Sequence, residues 1–312
     1  MKFFKYILLL FFLSNSSFLL ANDSSKKQKD SKLNNNISVQ DYYSYANYAF
    51  EKQQWSDVVD YCRVIIQKYP QSIFTKDALF YLGVSYFNLK EYELSNRYFT
   101  RYLKDDFNPK YFEESMHYKF SIAEKFKEGS KKRLFGKGPK LIVADDDALA
   151  IYDEIISSMP LHELAIKSLF SKGQILLETE EYKDSVLTFE QIVSKFPKHE
   201  LAIESFIQIG KVYLKQTNYK KQDLDNLELA ELNLKNLKDA QPQETEKIKE
   251  LETILLQMKE IFANGFLEIA DFYKRTNKKE AAIIYYSKIL NAFPQTQVAV
   301  LAKEKIDQLN AK

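Results

Sequence analysis

Three histidines, one cysteine, a run of three aspartates and one lysine-rich stretch are the residues of this 312-residue chain that could do chemistry beyond packing. His162 and His199 each open the string HELAI, within MPLHELAIKSLF and FPKHELAIESFI, 37 residues apart. A histidine beside a glutamate is a pairing that general acid–base catalysis uses. Both copies, however, stand two residues after a proline at what reads as a helix start, and a position that occurs twice is a poor candidate for a unique general base. With His117 elsewhere in the chain, the three histidines assemble neither a metal site nor a nucleophile. Cys62 is alone, which excludes an internal disulfide and a thiol pair. It falls where Phe99, Tyr152, Phe189, Leu234 and Tyr286 fall in other segments, so small core packing is its expected role. Asp145, Asp146 and Asp147 precede ALAIYDEII and suit the positive N-terminus of a helix better than a cation site. No catalytic residue, metal or cofactor is expected.

The stretch KFKEGSKKRLFGKGPK holds seven basic residues around Phe135 with only Glu128 opposing them. Read as an insert over 127–143, it is either a solvated loop or a contact for a partner or an anionic lipid surface, with Lys131, Lys132, Arg133, Phe135 and Lys137 as the contact residues. No stacking platform or reading helix accompanies the charge, so nucleic acid is not expected.

The elements that carry these residues follow from a repeat. The chain has 7 Gly and 7 Pro against 21 Tyr and 23 Phe, which favours long helices over tight strand turns. In LFSKGQILLETEEYKDSVLTFEQIVSKFP a small residue, Gly173, sits between Leu169 and Leu176. Tyr182 then opens a second helix, Phe189 and Ile192 face inward, and Pro197 stops it. That is tetratricopeptide grammar. It recurs with Ala46, Cys62 and Pro70, with Gly83, Phe99 and Pro109, with Gly210, Leu234 and Pro242, and with Ala270, Tyr286 and Pro294. A third unit is irregular, with Phe120 at the expected small position and a loop through Val143 before Tyr152 and Pro160. The expected fold is all-α, a tetratricopeptide-repeat solenoid of about six helix pairs, in which each pair buries its apolar stripe against its neighbours. HELAI is then the entrance to a repeat. The expected division is N-terminal repeats over 39–160 and C-terminal repeats with a terminal helix over 161–312.

First helices line the groove of such a solenoid. In this register Tyr43, Asn47, Phe50, Phe80, Val84 and Phe87 point outward from the first two units, an apolar and aromatic surface suited to an extended hydrophobic peptide. The last two units offer Glu204, Lys211, Asp271 and Lys274, with Ile207, Leu214 and Leu267 between them, a surface suited to a more polar partner.

Residues 1–21 read as a cleaved secretory leader: Lys2 and Lys5, an apolar YILLLFFL, and a small residue before Asn22. An uncleaved membrane anchor is the alternative. Residues 22–38 are polar and low in complexity, a flexible tether. Asn22 stands where a lipoprotein would carry its lipid-accepting cysteine. The 45 Lys and Arg face 43 Asp and Glu, and loss of Lys2 and Lys5 leaves the remainder formally neutral. No general polyanion-binding role follows.

A secretory leader, a first repeat of the form YSYANYAFEKQQWSDVVDYCRVIIQKYPQS, a second ending in RYFTRYL, an interrupted third and the final IADFYKRTNKKEAAIIYYSKILNAFPQTQ together resemble the BamD-like family of outer-membrane protein assembly factors. The resemblance runs from about Val39 to the C-terminus. It implies a non-enzymatic periplasmic scaffold, peripheral to the outer membrane and a monomer within a complex. Its C-terminal half would dock on a BamA-like β-barrel insertase, and its N-terminal groove would bind the C-terminal segments of unfolded outer-membrane proteins. A second resemblance, to the TolA-binding repeat protein that coordinates the cell envelope during division, predicts an N-terminal coiled coil, and the tether shows no heptads.

Overall fold

The computed structural model describes residues 37–104, 108–133, 138–217 and 224–311. The described residues form two compact units, one ending at Ser115 and one beginning at Met116. The leader, most of the tether, and Phe135 and Lys137 lie outside the described residues. The first unit holds α1 (Val39–Glu51), α2 (Trp55–Lys68), α3 (Thr75–Asn88) and α4 (Tyr92–Leu103), and α5 (Phe112–Lys127) runs across the division. The second unit continues with β1 (Lys132–Arg133), β2 (Lys140–Ile142), α6 (Asp145–Ser158), α7 (Glu163–Glu178), α8 (Tyr182–Lys195), α9 (Glu200–Gln216) and α10 (Asp225–Ala240). It ends with α11 (Thr245–Arg275), α12 (Lys279–Ala292) and α13 (Gln297–Asn310). No helix among the described residues is long and apolar enough to cross a membrane.

Helix starts and turns follow a repeated local logic. Ser38, the last residue assigned to the tether, belongs to the fold: its hydroxyl accepts from the Asp41 N–H and its own N–H donates to the Asp41 carboxylate, a capping box for α1. Four turns inside helix pairs place a non-glycine residue in the left-handed region, at Gln53, Lys90, Glu180 and Asn277. In each, the following N–H reaches back to a carbonyl of the first helix: Gln54 to Ala49, Glu91 to Tyr86, Glu181 to Leu176 and Lys278 to Tyr273. The carbonyls left over at the helix end are thereby satisfied, which offsets the roughly 1 kcal/mol that left-handed backbone costs a residue with a Cβ.

Within a pair, the seam is set by the small residue. A Cβ on Gly83 would lie 2.6 Å from the Phe99 ring, and one on Gly173 would lie 2.7 Å from the Phe189 ring. Ser95 and Ser185, one turn before those rings, donate to the Gly83 and Gly173 carbonyls at 2.7 and 2.8 Å. The interrupted third unit obeys the same geometry in a different register from the one expected. The ring pairs Phe80–Phe99, Phe120–Tyr152 and Phe170–Phe189 are equivalent, with centroids 5.9, 6.1 and 5.6 Å apart. Phe120 therefore matches Phe80 and Phe170, and the small seam residue of the third unit is the fully buried Ala123. The residue one turn before it, where Leu79 and Leu169 stand in their units, is Lys119, itself fully buried and paired with Glu154 at 2.9 Å.

Two further departures reshape the second unit. The described part of the insert carries a two-stranded antiparallel sheet, β1 on β2, rather than a plain loop. A Cβ on Gly210 would meet Leu251 of α11 at 2.4 Å, so α9 closes on α11 at the place where α10 was expected. Helix α11 is 31 residues long. Its first half packs on α9 and α10, and its second half forms the last helix pair with α12. Apart from these, each unit adopts the expected fold, tetratricopeptide helix pairs stacked on one another.

Candidate functional site

The first-helix face of the unit ending at Ser115 is a layer of half-buried rings. Tyr43 stacks on Phe74 at 4.4 Å and lies parallel to Tyr81 at 6.3 Å, while Phe50 stacks on Tyr81 at 4.4 Å and meets Trp55 edge-on. The Tyr43 hydroxyl donates to Asp77 at 2.6 Å, and burial, then that hydrogen bond, pushes its pKa up. Burial raises the Tyr81 phenol as well, so both stay neutral donors at working pH. Phe87 leans on Tyr92.

Two residues expected on this surface lie beneath it. Phe80 is buried against Phe99 and Tyr102 and stacks on Tyr111 at 4.2 Å, and Val84 is 3% exposed. Aromatic neighbours cover Phe80. Phe74, Tyr81 and Tyr111, which complete the layer, were not singled out from the sequence. Their spacing on α3 and just before α5, relative to Phe80, was the available signal.

Asn47 sits inside this layer, and its side-chain oxygen is buried without a hydrogen-bond partner. The repeat geometry explains the orphan. Asn47 directly follows the small residue Ala46, the position that Glu124 and Asp271 hold after Ala123 and Ala270. In those two units the seam residue is a tyrosine whose hydroxyl serves that acceptor: Tyr152 donates to Glu124 and Tyr286 to Asp271, each at 2.5 Å. In the first unit the seam residue is Cys62, fully buried and too short to reach. Burial raises its thiol pKa, in keeping with a packing role.

The remaining candidates resolve into structural parts. His162 and His199 are the N-caps of α7 and α9, each in extended backbone with Nδ1 accepting at 3.1 Å from the N–H two residues on, Leu164 and Leu201. His199 Nε2 lies 3.1 Å from Glu163, so the glutamate of the first HELAI meets the histidine of the second. The Glu163 carboxyl is held below its ordinary range, first by Lys167 and then, against some burial, by His199. The three histidines are less dispersed than expected, for the His117 and His162 rings stand 6.3 Å apart.

Asp145 opens α6, as the aspartate run implied, and Asp147 pairs with Lys132 of β1. Lys132 is therefore not a free contact cation. Arg133 Nε donates to the Gly138 carbonyl at 3.0 Å, and Lys131 is exposed. Three of the four polar residues expected on the C-terminal groove are also engaged, Glu204 with Lys247, Lys211 with Glu250, and Asp271 with Lys305. The first half of α11 thus supplies the polar partners that α9 was expected to offer outward.

Tetratricopeptide-repeat family models match residues 77–106 and 263–296, the segments that hold α3 with α4 and the second half of α11 with α12. With the helix-pair geometry, they define an all-α tetratricopeptide-repeat protein, and such repeats are protein-binding scaffolds. Solved structures with a similar fold include a tetratricopeptide-repeat protein of Bacteroides fragilis, 12% identical with a TM-score of 0.42 over 88% of this chain and 98% of that one. Another, from Parabacteroides merdae, is 13% identical with a TM-score of 0.37 over 88% and 99%. A Rap protein complexed with competence and sporulation factor is 14% identical with a TM-score of 0.31 over 91% and 78%. A search of curated protein sequences found no match. None of these similarities points to the BamD-like family in particular.

Proposed function

We propose that the ring layer around Asn47 receives an extended peptide with an aromatic end, and that the protein is a non-enzymatic scaffold of outer-membrane β-barrel assembly. The observation that carries this reading is the unserved Asn47 oxygen within a half-buried aromatic surface. A buried acceptor without a donor costs about 1–3 kcal/mol, and a peptide N–H arriving between Tyr43 and Phe50, met by rotation of the amide, would recover it. Burying two or three peptide side chains at roughly 1.5–3 kcal/mol each, less the cost of association, gives micromolar affinity. That is the range a carrier needs if it is to release its cargo to an insertase. The finer assignment, with a BamA-like insertase and unfolded outer-membrane protein C-termini as partners and the periplasmic face of the outer membrane as location, draws on the family resemblance of the leader and first repeats.

Fluorescence anisotropy with labelled β-barrel C-terminal peptides tests the site. Asn47→Ala should weaken binding about five- to tenfold without lowering the melting temperature, since no internal hydrogen bond is lost and the unserved acceptor is removed. Replacing the peptide's terminal aromatic by Ser should weaken it at least as much. Unchanged binding in both cases would move the receptor surface elsewhere. Intact mass of protein from cell envelopes tests the location, with a start near Asn22 and no acyl addition expected.

A further inference from the structure

Helix α10 carries more leucine than its packing uses. Leu227, Ala230, Leu234 and Leu237 face the core, whereas Leu229 and Leu232 on the opposite side are 45% and 51% exposed. A surface helix needs one apolar stripe, and this one has two. The outer pair borders a cleft of about 110 Å3 between α8, α9 and α10, to which Phe206 and Tyr213 of α9 and Val193 and Glu190 of α8 also contribute. On α8, one turn before Glu190, Leu187 is 46% exposed. Isolated exposed leucines are ordinary, but two that line one cleft, with a third one turn from Glu190 of the same lining, form a patch.

Size and charge select the occupant. Pockets for drug-sized molecules run from about 300 Å3 upward, so this cleft holds a single bulky side chain, the dimension of an anchor at a protein interface. Glu190 is the one charged residue of the lining, and it is exposed with no ion pair or hydrogen bond among the described residues. On α10 and α11, Glu231 pairs with Lys259 and Glu252 with Lys238, and the exposed Glu228 of α10 is not part of the cleft lining. The spacing of one helical turn on both sides, Leu187 to Glu190 and Leu229 to Leu232, fits a third helix laid along the groove.

We infer that the groove between α8 and α10 docks an amphipathic helix of a partner protein, which seats one large apolar side chain beside Leu229, Leu232 and Tyr213 and sets a Lys or Arg, one turn away, against Glu190. This surface is distinct from the ring layer of the first unit and does not depend on the peptide reading given to it.

The test is selection of a phage-displayed library of helix-patterned 16-residue peptides on the full chain, followed by anisotropy with the enriched peptide. Enriched sequences should carry Leu, Met, Phe or Trp with Lys or Arg three or four positions away. Leu232→Glu should weaken binding tenfold or more with melting unchanged, and Leu229→Ser should act in the same direction. Glu190→Lys should abolish preference for the basic peptide and restore binding when the peptide's cation is replaced by Glu. Enrichment without a basic residue, or binding that survives both Leu232→Glu and Glu190→Lys, overturns the inference.

Discussion

The pair α7–α8 and the pair made by the second half of α11 with α12 solve one packing problem in two ways. In the first, Gly173 admits the Phe189 ring and Ser185 bonds the glycine carbonyl. In the second, Ala270 faces Tyr286, Ala282 stands where the serine would be, and the tyrosine hydroxyl crosses to Asp271, which Lys305 of α13 also holds. Two further pairs sort the same way: α3–α4 is of the glycine type with Gly83, Ser95 and Phe99, and the interrupted α5–α6 is of the alanine type with Ala123, Ala148 and Tyr152. The lesson is that a seam is a matched set. A tyrosine brings a polar atom that must be answered, and the residue after the small one is where the answer comes from. The first unit breaks the set by pairing Asn47 with Cys62, and its oxygen is left over.

Truncation at the shared ring position should have the largest effect. Phe189→Ala and Phe99→Ala remove fully buried rings and should each cost about 3–5 kcal/mol by chemical denaturation. A loss under about 1 kcal/mol in either would show that the seam is elsewhere. Gly173→Ala imports the small residue of the other type without its helix spacing, and should cost about 1–3 kcal/mol through overpacking against Phe189. A neutral result would mean that the two types differ only in name. Tyr286→Phe keeps the ring and removes the donor, so about 1 kcal/mol is expected.

The last seam also gives the comparison a pH dependence. Burial tends to raise the Asp271 carboxyl, but Lys305 and Tyr286 outweigh it and the net shift is downward. A folded pKa below the unfolded one means that the stabilisation is complete above about pH 4 and fades as pH falls through the folded value. Asp271→Asn should flatten that acid limb of the stability curve, whereas Gly173→Ala should leave it unchanged. The cap at the repeat joint comes last: His199→Ala should cost at most about 1 kcal/mol and His199→Asn, a good N-cap, much less. Equal losses would assign the histidine's contribution to Glu163 rather than to the cap.

The glycine-type pairs were legible because Gly, Ser and Phe at fixed spacing announce a close helix crossing. The third unit was misread by three residues for a definite reason: the leucine that marks the register elsewhere is Lys119 there, and a buried lysine paired with Glu154 carries no apolar signal. Histidine is an unusual cap, so HELAI pointed to a helix entrance without revealing which atom made it. The aromatic face was recognised through Tyr43, Asn47, Phe50 and Phe87, yet Phe80 and Val84 were placed outward because periodicity gives the direction of a side chain and not what covers it. The length of α11 was missed because the unit was expected to close on α10 after Pro242, and the buried Gly265 within residues 245–275 does not break the helix.

That uninterrupted helix changes the mechanics of the second unit. At about 1.5 Å per residue its 31 residues make a beam of roughly 46 Å. Its first half is clamped to α9 and α10, and its second to α12 and α13. Repeats joined by turns can pivot at each joint, whereas two groups fixed to one shaft must twist and translate together. A pull on the last helix pair would therefore reach α9 and α10 as torque along a single backbone instead of being absorbed by a loop.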